Sequence, residues 1–467
     1  MSAPLAQRST AELLAALDRP GPRYTSYPTA LEFHPGFTAD DYAGRLRAAD
    51  RRVDEPLSLY AHLPFCEQRC LYCACNVVIT SHRDVAADYL EHVLLEVDVL
   101  ARHLPNRRSI SQLHWGGGTP TYYPPADLER LFRAIADRFT FTDHAEIGIE
   151  VDPRVTTHEH VARLRALGFN RISMGVQDFA PEVQRAVHRV QSFELTRALV
   201  ERARAEGYSS VNLDLIYGLP YQSVAGFRRT LEQVIDIRPD RVAAYSFAFV
   251  PWIKAHMNAI PADALPDAGL KLELLALTLD TFRAAGYRAI GMDHFALPGD
   301  ELARAVEART LHRNFMGYTV HSARDMVALG ITGIGDVQGA YVQNVRKLPD
   351  YAAAVRAGRL PVERGLALSD DDLLRRHVIT RLMCHGRLEV AEVERRFGVS
   401  FETAFAPELA ELEAPEGPVR RGLLAVSPEA LELTPLGRMF VRNVCMVFDR
   451  HLRARAAGSR PAFSRTV

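Results

Sequence analysis

Between residues 57 and 247 the chain alternates short apolar runs with longer segments of helical period. The runs cover residues 57–63, 110–115, 145–151, 171–176, 211–217 and 241–247; the helical segments cover 86–103, 126–138, 157–167, 193–206 and 225–237. Strands separated by a helix do not form tight hairpins, so they pair in parallel through right-handed crossovers. The pattern predicts an α/β fold built as a partial (β/α)6-type parallel barrel, because a closed eight-unit barrel needs two more repeats. In such sheets the chemistry gathers at the C-terminal ends of the strands.

The first of those ends carries YAHLPFCEQRCLYCACN, from Tyr60 to Asn76, with four of the chain's six cysteines: Cys66, Cys70, Cys73 and Cys75. The first three have the spacing C-x3-C-x2-C. Thiolates favour zinc, Cu(I) or iron–sulfur clusters. A structural zinc site closes with four ligands, normally as two separated pairs, and no second pair follows here. Three cysteines in one tight loop suit a 4Fe-4S cluster with one iron left open to a small molecule. A zinc loop and buried free thiols are the competing readings. Clustered thiols read as metal ligands of a reducing compartment rather than as disulfides. Cys384 and Cys445 lie in apolar helical contexts and are expected to be buried.

The other strand ends are polar or glycine-rich. The second run leads into HWGGGTPT, residues 114–121, whose three glycines let the backbone approach a ligand. No Gly-Lys-Ser/Thr follows, so this is not a phosphate-binding P-loop. The third run ends in EIGIEVDP, where alternation puts Glu146, Gly148 and Glu150 on one face. The fourth ends in SMGVQD and offers Gln177. In the fifth, Asn212 and Asp214 share one face of an otherwise apolar strand. A carboxylate there must be paired or bound to a ligand, and Arg189 is a candidate partner. Residues 330–339 are glycine-rich and can bring backbone and Ile334 to a ligand.

Three parts are expected: an N-terminal arm over 1–55, the (β/α) domain over 56–360, and a mainly helical C-terminal domain over 361–467. The arm holds a short helix at 11–16 and then GPRYTSYPTALEF, whose prolines prevent a long helix. Laid over a site, it would make Arg23 available to an anion. Ser369 caps a helix to residue 385; further helices cover 389–397, 401–412 and 435–452, with a hairpin at 423–433. The net charge is −1 and no face is densely basic, which argues against nucleic acid. With 48% hydrophobic and 24% charged residues and no long apolar run, a soluble cytoplasmic protein without a membrane span is expected.

The cysteine loop, with Tyr72 before its third cysteine, resembles that of the radical S-adenosylmethionine superfamily. GPRYTSYP, CxxxCxxCxC, HWGGGTPT, IEVDPR, SMGVQDF, DLIYGLP, GMDHFA and HRNF, in this order, resemble the oxygen-independent coproporphyrinogen III oxidase family. The resemblance implies that two propionates of coproporphyrinogen III become vinyls, giving protoporphyrinogen IX for haem, by a 5′-deoxyadenosyl radical made from S-adenosylmethionine. It implies Cys66, Cys70 and Cys73 as ligands of a 4Fe-4S cluster. Tyr60, Gly117, Glu150 and Ile334 would surround one S-adenosylmethionine. Tyr72, Gly118, Thr119, Gln177, Arg189, Asp214 and Ala248 would surround a second. Cys75 matches a fourth family cysteine that does not bind the cluster. A monomer served by an electron donor such as flavodoxin or ferredoxin is implied, with Arg23, His62 and Arg313 near the porphyrinogen. Ala74 replaces the usual glycine. Met316 stands where glutamine is expected, which puts in question any hydrogen bond that glutamine would make.

Overall fold

The computed structural model describes residues 16–321, 323–455 and 462–466. The helix expected over 11–16 lies outside them apart from Ala16. Six parallel strands lie side by side in chain order: β1 (Leu57–Leu63), β2 (Ser109–Gly117), β3 (Thr140–Val151), β4 (Arg171–Gln177), β5 (Ser210–Tyr217) and β6 (Arg241–Ser246). The connecting helices cover the sheet. Helix Pro125–Ala136 buries Leu128, Leu131, Phe132 and Ile135, one stripe at helical spacing. Each such side chain contributes about 1.5–3 kcal/mol on burial.

The sheet does not close into a barrel. Met326–Leu329 adds in parallel to the free edge of β1, followed by Ile334–Asp336, Ala340–Asn344 and Val362–Ala367, all antiparallel. Beyond β6 lie His294–Ala296 and Arg288–Ile290. The six-strand unit is therefore the centre of a 12-stranded sheet. These flanking strands are too short to show alternation in the sequence, although residues 286–290 read as a short strand. Val362–Ala367 carries the sheet past residue 361, where the helical part was expected to begin. Similarly, the second half of the expected arm is a helix, Ala39–Asp50, started by a Thr38–Asp41 capping box. Its Tyr42, Ala43, Leu46 and Ala49 join the main core.

The glycine-rich stretch serves packing at Gly330: a Cβ there would meet the Tyr89 hydroxyl at 2.3 Å and the His62 carbonyl at 2.6 Å. The C-terminal part has its own core. Helix Asp370–His385 starts from a Ser369–Asp372 capping box and ends at Gly386 with φ +66°. Arg387–Glu389, Ala430–Leu433 and Leu424–Val426 form a small sheet. The helices expected over 401–412 and 435–452 are interrupted at Phe405 (φ −119°, ψ 22°) and Phe440 (φ −113°, ψ 26°), whose rings are buried. Leu17, Tyr24 and Tyr27 of the arm complete this second core. No helix among the described residues is long and apolar enough to cross a membrane.

Candidate active site

The cysteine loop leaves the C-terminal end of β1 and is pinned from outside. Phe65–Cys66 pairs with Val78–Ile79. The Leu71 amide donates to the Val187 carbonyl at 3.0 Å. His256 Nε2 lies 2.8 Å from the Cys73 carbonyl, and Lys254 Nζ donates to the Cys75 carbonyl at 3.2 Å. Cys66, Cys70, Cys73 and Cys75 thereby line one cleft of about 920 Å³ with Tyr72, Gly117, Gly118, Thr119, Glu150, Gln177, Arg189 and Asp214. Apart from Arg189, which follows the short helix Pro181–Ala186, these residues lie at or just after strand ends, as the parallel fold requires.

The three glycines at the end of β2, Gly116 and Gly117 in the strand and Gly118 after it, are there for close approach. A Cβ on Gly116 would sit 2.8 Å from the Glu150 carboxylate. Gly117 has φ +115°, and a Cβ would meet the His62 ring at 2.6 Å. At Gly118 it would meet the Pro64 carbonyl at 2.5 Å. The loop therefore brings the Gly117 N–H to Glu150 Oε2 (3.2 Å), while His114 Nε2 lies 3.4 Å from Oε1.

Two carboxylates on the floor are tuned apart. Glu150 is 47% exposed, but to the cleft itself. Desolvation there raises its pKa, and the His114 and Gly117 contacts outweigh it, holding the carboxyl below its ordinary value. Burial, reinforced by the Glu150 charge, pushes Asp214 up to about 6. Asp214 is held by Asn212 Nδ2 (2.7 Å) and Ser173 Oγ (3.3 Å). The expected Arg189 partnership is thus corrected. Arg189 Nη1 pairs with Asp152 Oδ2 at 3.0 Å, and Arg154 Nη2 reaches the same oxygen at 2.7 Å. Both guanidinium groups lie 3.7 Å from Cys70 Sγ. Asp152, Arg154 and His114 escaped the sequence reading as site residues. The signal for the first two was the Asp-Pro-Arg directly after a strand.

Tyr60, Ala248 and Ile334 do not line this cleft. The Tyr60 hydroxyl meets His62 Nδ1 at 3.0 Å, and its ring stacks on His114. Ile334 opens the strand between Met326–Leu329 and Ala340–Asn344, and Ala248 follows β6. His62 is fixed between Tyr60 and the Asn76 carbonyl (2.9 Å). Arg23 donates to the Ser246 carbonyl rather than standing free, and Arg313 donates to the Arg23 carbonyl at 2.8 Å. Met316 lines a smaller cavity of about 120 Å³ inside the partial barrel, which also touches Glu146, Glu150, Asn212 and Asp214.

The donor set fits an iron–sulfur cluster. The hydrogen bond from the Cys75 thiol pulls Cys73 down to about 6, despite its burial. Burial pushes Cys66 up to about 11, eased by Thr119 Oγ1 at 3.4 Å. Among the described residues no three His, Cys, Asp or Glu side chains converge on one metal ion. Thiols spread along one wall match several irons better than one zinc.

The chain is 44% identical over 465 residues to the oxygen-independent coproporphyrinogen III oxidase of Pseudomonas aeruginosa, spanning 98% of this chain and 99% of that one. It belongs to the oxygen-independent coproporphyrinogen III oxidase family. The Escherichia coli relative of that name is 43% identical over 448 residues, 96% of each chain. A solved structure of coproporphyrinogen III oxidase (HemN) from Escherichia coli, described as a radical SAM enzyme, matches with TM-score 0.88 at 42% identity, over 92% of this chain and 98% of that one. Family models agree: Radical SAM superfamily over residues 60–234, and HemN C-terminal domain over residues 368–440. The family is one of radical SAM oxidoreductases using a 4Fe-4S cluster and S-adenosylmethionine, as the cysteine loop led us to expect. Its fold, a partial parallel barrel followed by a helical region, is the one described above.

Proposed function

We propose that this chain converts two propionates of coproporphyrinogen III to vinyls, giving protoporphyrinogen IX, in oxygen-independent haem synthesis. The observation that carries it is one cleft lined by the three motif cysteines, the glycine loop and the Glu150–Asp214 floor, in a chain matching named coproporphyrinogen III oxidases end to end. When bound, a reduced 4Fe-4S cluster supplies the electron that cleaves S-adenosylmethionine to a 5′-deoxyadenosyl radical.

The chain's residues bind, orient and shield. Cys66, Cys70 and Cys73 would hold the cluster, with Arg154 and Arg189 beside the Cys70 sulfur. Glu150, kept ionised by His114 and Gly117, accepts hydrogen bonds from an ammonium or from ribose hydroxyls. Tyr60 supports that first S-adenosylmethionine through His114, on which its ring stacks and which contacts Glu150. Tyr72, Gly118, Thr119, Gln177, Arg189 and Asp214, which line the cleft, surround the second. We further propose a cytoplasmic monomer that takes electrons from a flavodoxin or ferredoxin.

The test is anaerobic turnover of the iron-reconstituted chain with dithionite, S-adenosylmethionine, coproporphyrinogen III and a cell extract as source of the one-electron acceptor that takes the electron left when each propionate loses carbon dioxide. Deoxyadenosine and the two-carboxyl porphyrin are expected together. Cys70→Ser removes both products and the iron–sulfur absorption. Turnover retained without a cluster, or deoxyadenosine without decarboxylation, overturns the assignment.

A further inference from the structure

The cysteine loop is held from outside by two neighbouring segments, and all three share one small hydrophobic cluster. Leu71 of the loop packs with Val183 and Val187 and with Val250 and Met257. Around this module three large apolar side chains face solvent: Val190, at the mouth of the cleft, is 63% exposed, and Trp252 and Ile253, on the segment that holds the loop, are 47% and 53% exposed. The chain has two tryptophans, and the other, Trp115, is wholly buried, so the exposure of Trp252 is not a shortage of core. Adjacent exposed apolar side chains on a rigid surface mark contact sites, and tryptophan most of all.

The same rim is cationic. Lys254 follows Ile253 and grips the loop at Cys75, and Arg69 and Lys254 both act electrostatically on Cys73. Arg185 is exposed on the neighbouring short helix Pro181–Ala186. None of these three cations forms an ion pair among the described residues. The acidic residues of the rim are Glu182 and Glu67, and Glu67 is already paired with Arg83.

We infer that this rim is the docking surface for a small acidic one-electron carrier protein. The inference rests on the proposed function, which needs an outside electron at the cysteine loop. One electron leaves the reduced carrier, which is oxidised by one unit, and enters the cleft through the loop that the rim surrounds. Electron transfer weakens steeply with distance, so the carrier must sit on this loop rather than elsewhere. Apolar anchors inside a ring of cations give a short-lived, correctly oriented complex with an acidic partner, formed fast at low salt.

The test uses the full-length, cluster-loaded chain and two probes, a flavodoxin and a 2Fe-2S ferredoxin, with binding followed by titration. The wild-type chain is expected to bind at least one probe, more weakly as salt rises from about 50 to 300 mM. The double variant Trp252→Ser, Ile253→Ser is expected to lose about tenfold in carrier affinity and in carrier-driven deoxyadenosine formation, with the dithionite-driven rate unchanged. Carrier affinity unaltered by the double variant, or insensitive to salt, overturns the docking surface. Salt-sensitive carrier binding that the variant weakens, with no dithionite-driven deoxyadenosine in wild type, supports the surface and overturns the proposed function instead.

Discussion

Asp152 holds two guanidinium groups against one cysteine. Its side chain is 9% exposed and that of Arg189 is 7% exposed, so the ion pair is nearly dry. Removing one member of a buried pair leaves the other charge uncompensated, at a cost of about 3–5 kcal/mol. Asp152→Ala is therefore expected to lower unfolding stability by about 3 kcal/mol in urea titrations of the cluster-free chain. Asp214 gives a pH signature. Its carboxyl is raised from an ordinary 3.8 to about 6, so between those values the folded chain binds more protons than the unfolded one. Stability then falls as pH rises through that window. Asp214→Asn is expected to flatten this part of the stability–pH curve, read by thermal melts from pH 4 to 7. Glu150 and Asp214 stood out in the sequence as carboxylates among apolar strand residues. Asp152 did not, because Arg189 lies 37 residues away and only the fold joins them.

At the scale of elements, the β2 loop shows why three consecutive glycines are needed and why they are not equivalent. At Gly118 an added methyl meets backbone, the Pro64 carbonyl, which no side-chain rotation can relieve. Gly118→Ala is expected to shift the loop, weaken S-adenosylmethionine binding by at least about tenfold and cost roughly 1–3 kcal/mol of stability. At Gly116 the methyl meets the Glu150 carboxylate, a side chain that can move. Gly116→Ala is expected to keep the melting temperature and lose affinity, as measured by equilibrium dialysis with S-adenosylmethionine. Strand faces were legible: Glu146 with Glu150, and Asn212 with Asp214, do line one inner cavity, because side-chain direction in a strand has period two. Added strands such as Met326–Leu329 were not, since four residues buried throughout carry no alternation.

Across the whole molecule the arm ties the C-terminal part to the sheet. Buried Arg442 donates to the carbonyls of Gly21 and Pro22 and to that of Arg465 (3.2 Å). Tyr24 Oη donates to Asp449 at 3.0 Å, and Tyr341 Oη to the Tyr27 carbonyl at 3.0 Å. Hydrogen bonds from a charged donor contribute about 1.5–3 kcal/mol each. Arg442→Ala is expected to open the arm by about 2 kcal/mol, making trypsin cleavage at Arg19 and Arg23 roughly thirtyfold faster while the sheet stays intact. The sequence by itself determined the six-strand parallel unit, the inward faces of its strands, the cysteine loop and the capped start of the C-terminal helix. These follow from periodicity and from contacts between near neighbours in the chain. Only the tertiary structure decided that the sheet extends instead of closing, with Met326 beside Ser58, and that Asp152 rather than Asp214 takes Arg189. It also decided that the arm lies in the second core. Those outcomes depend on which distant surfaces bury one another, and local spacing carries no record of that choice.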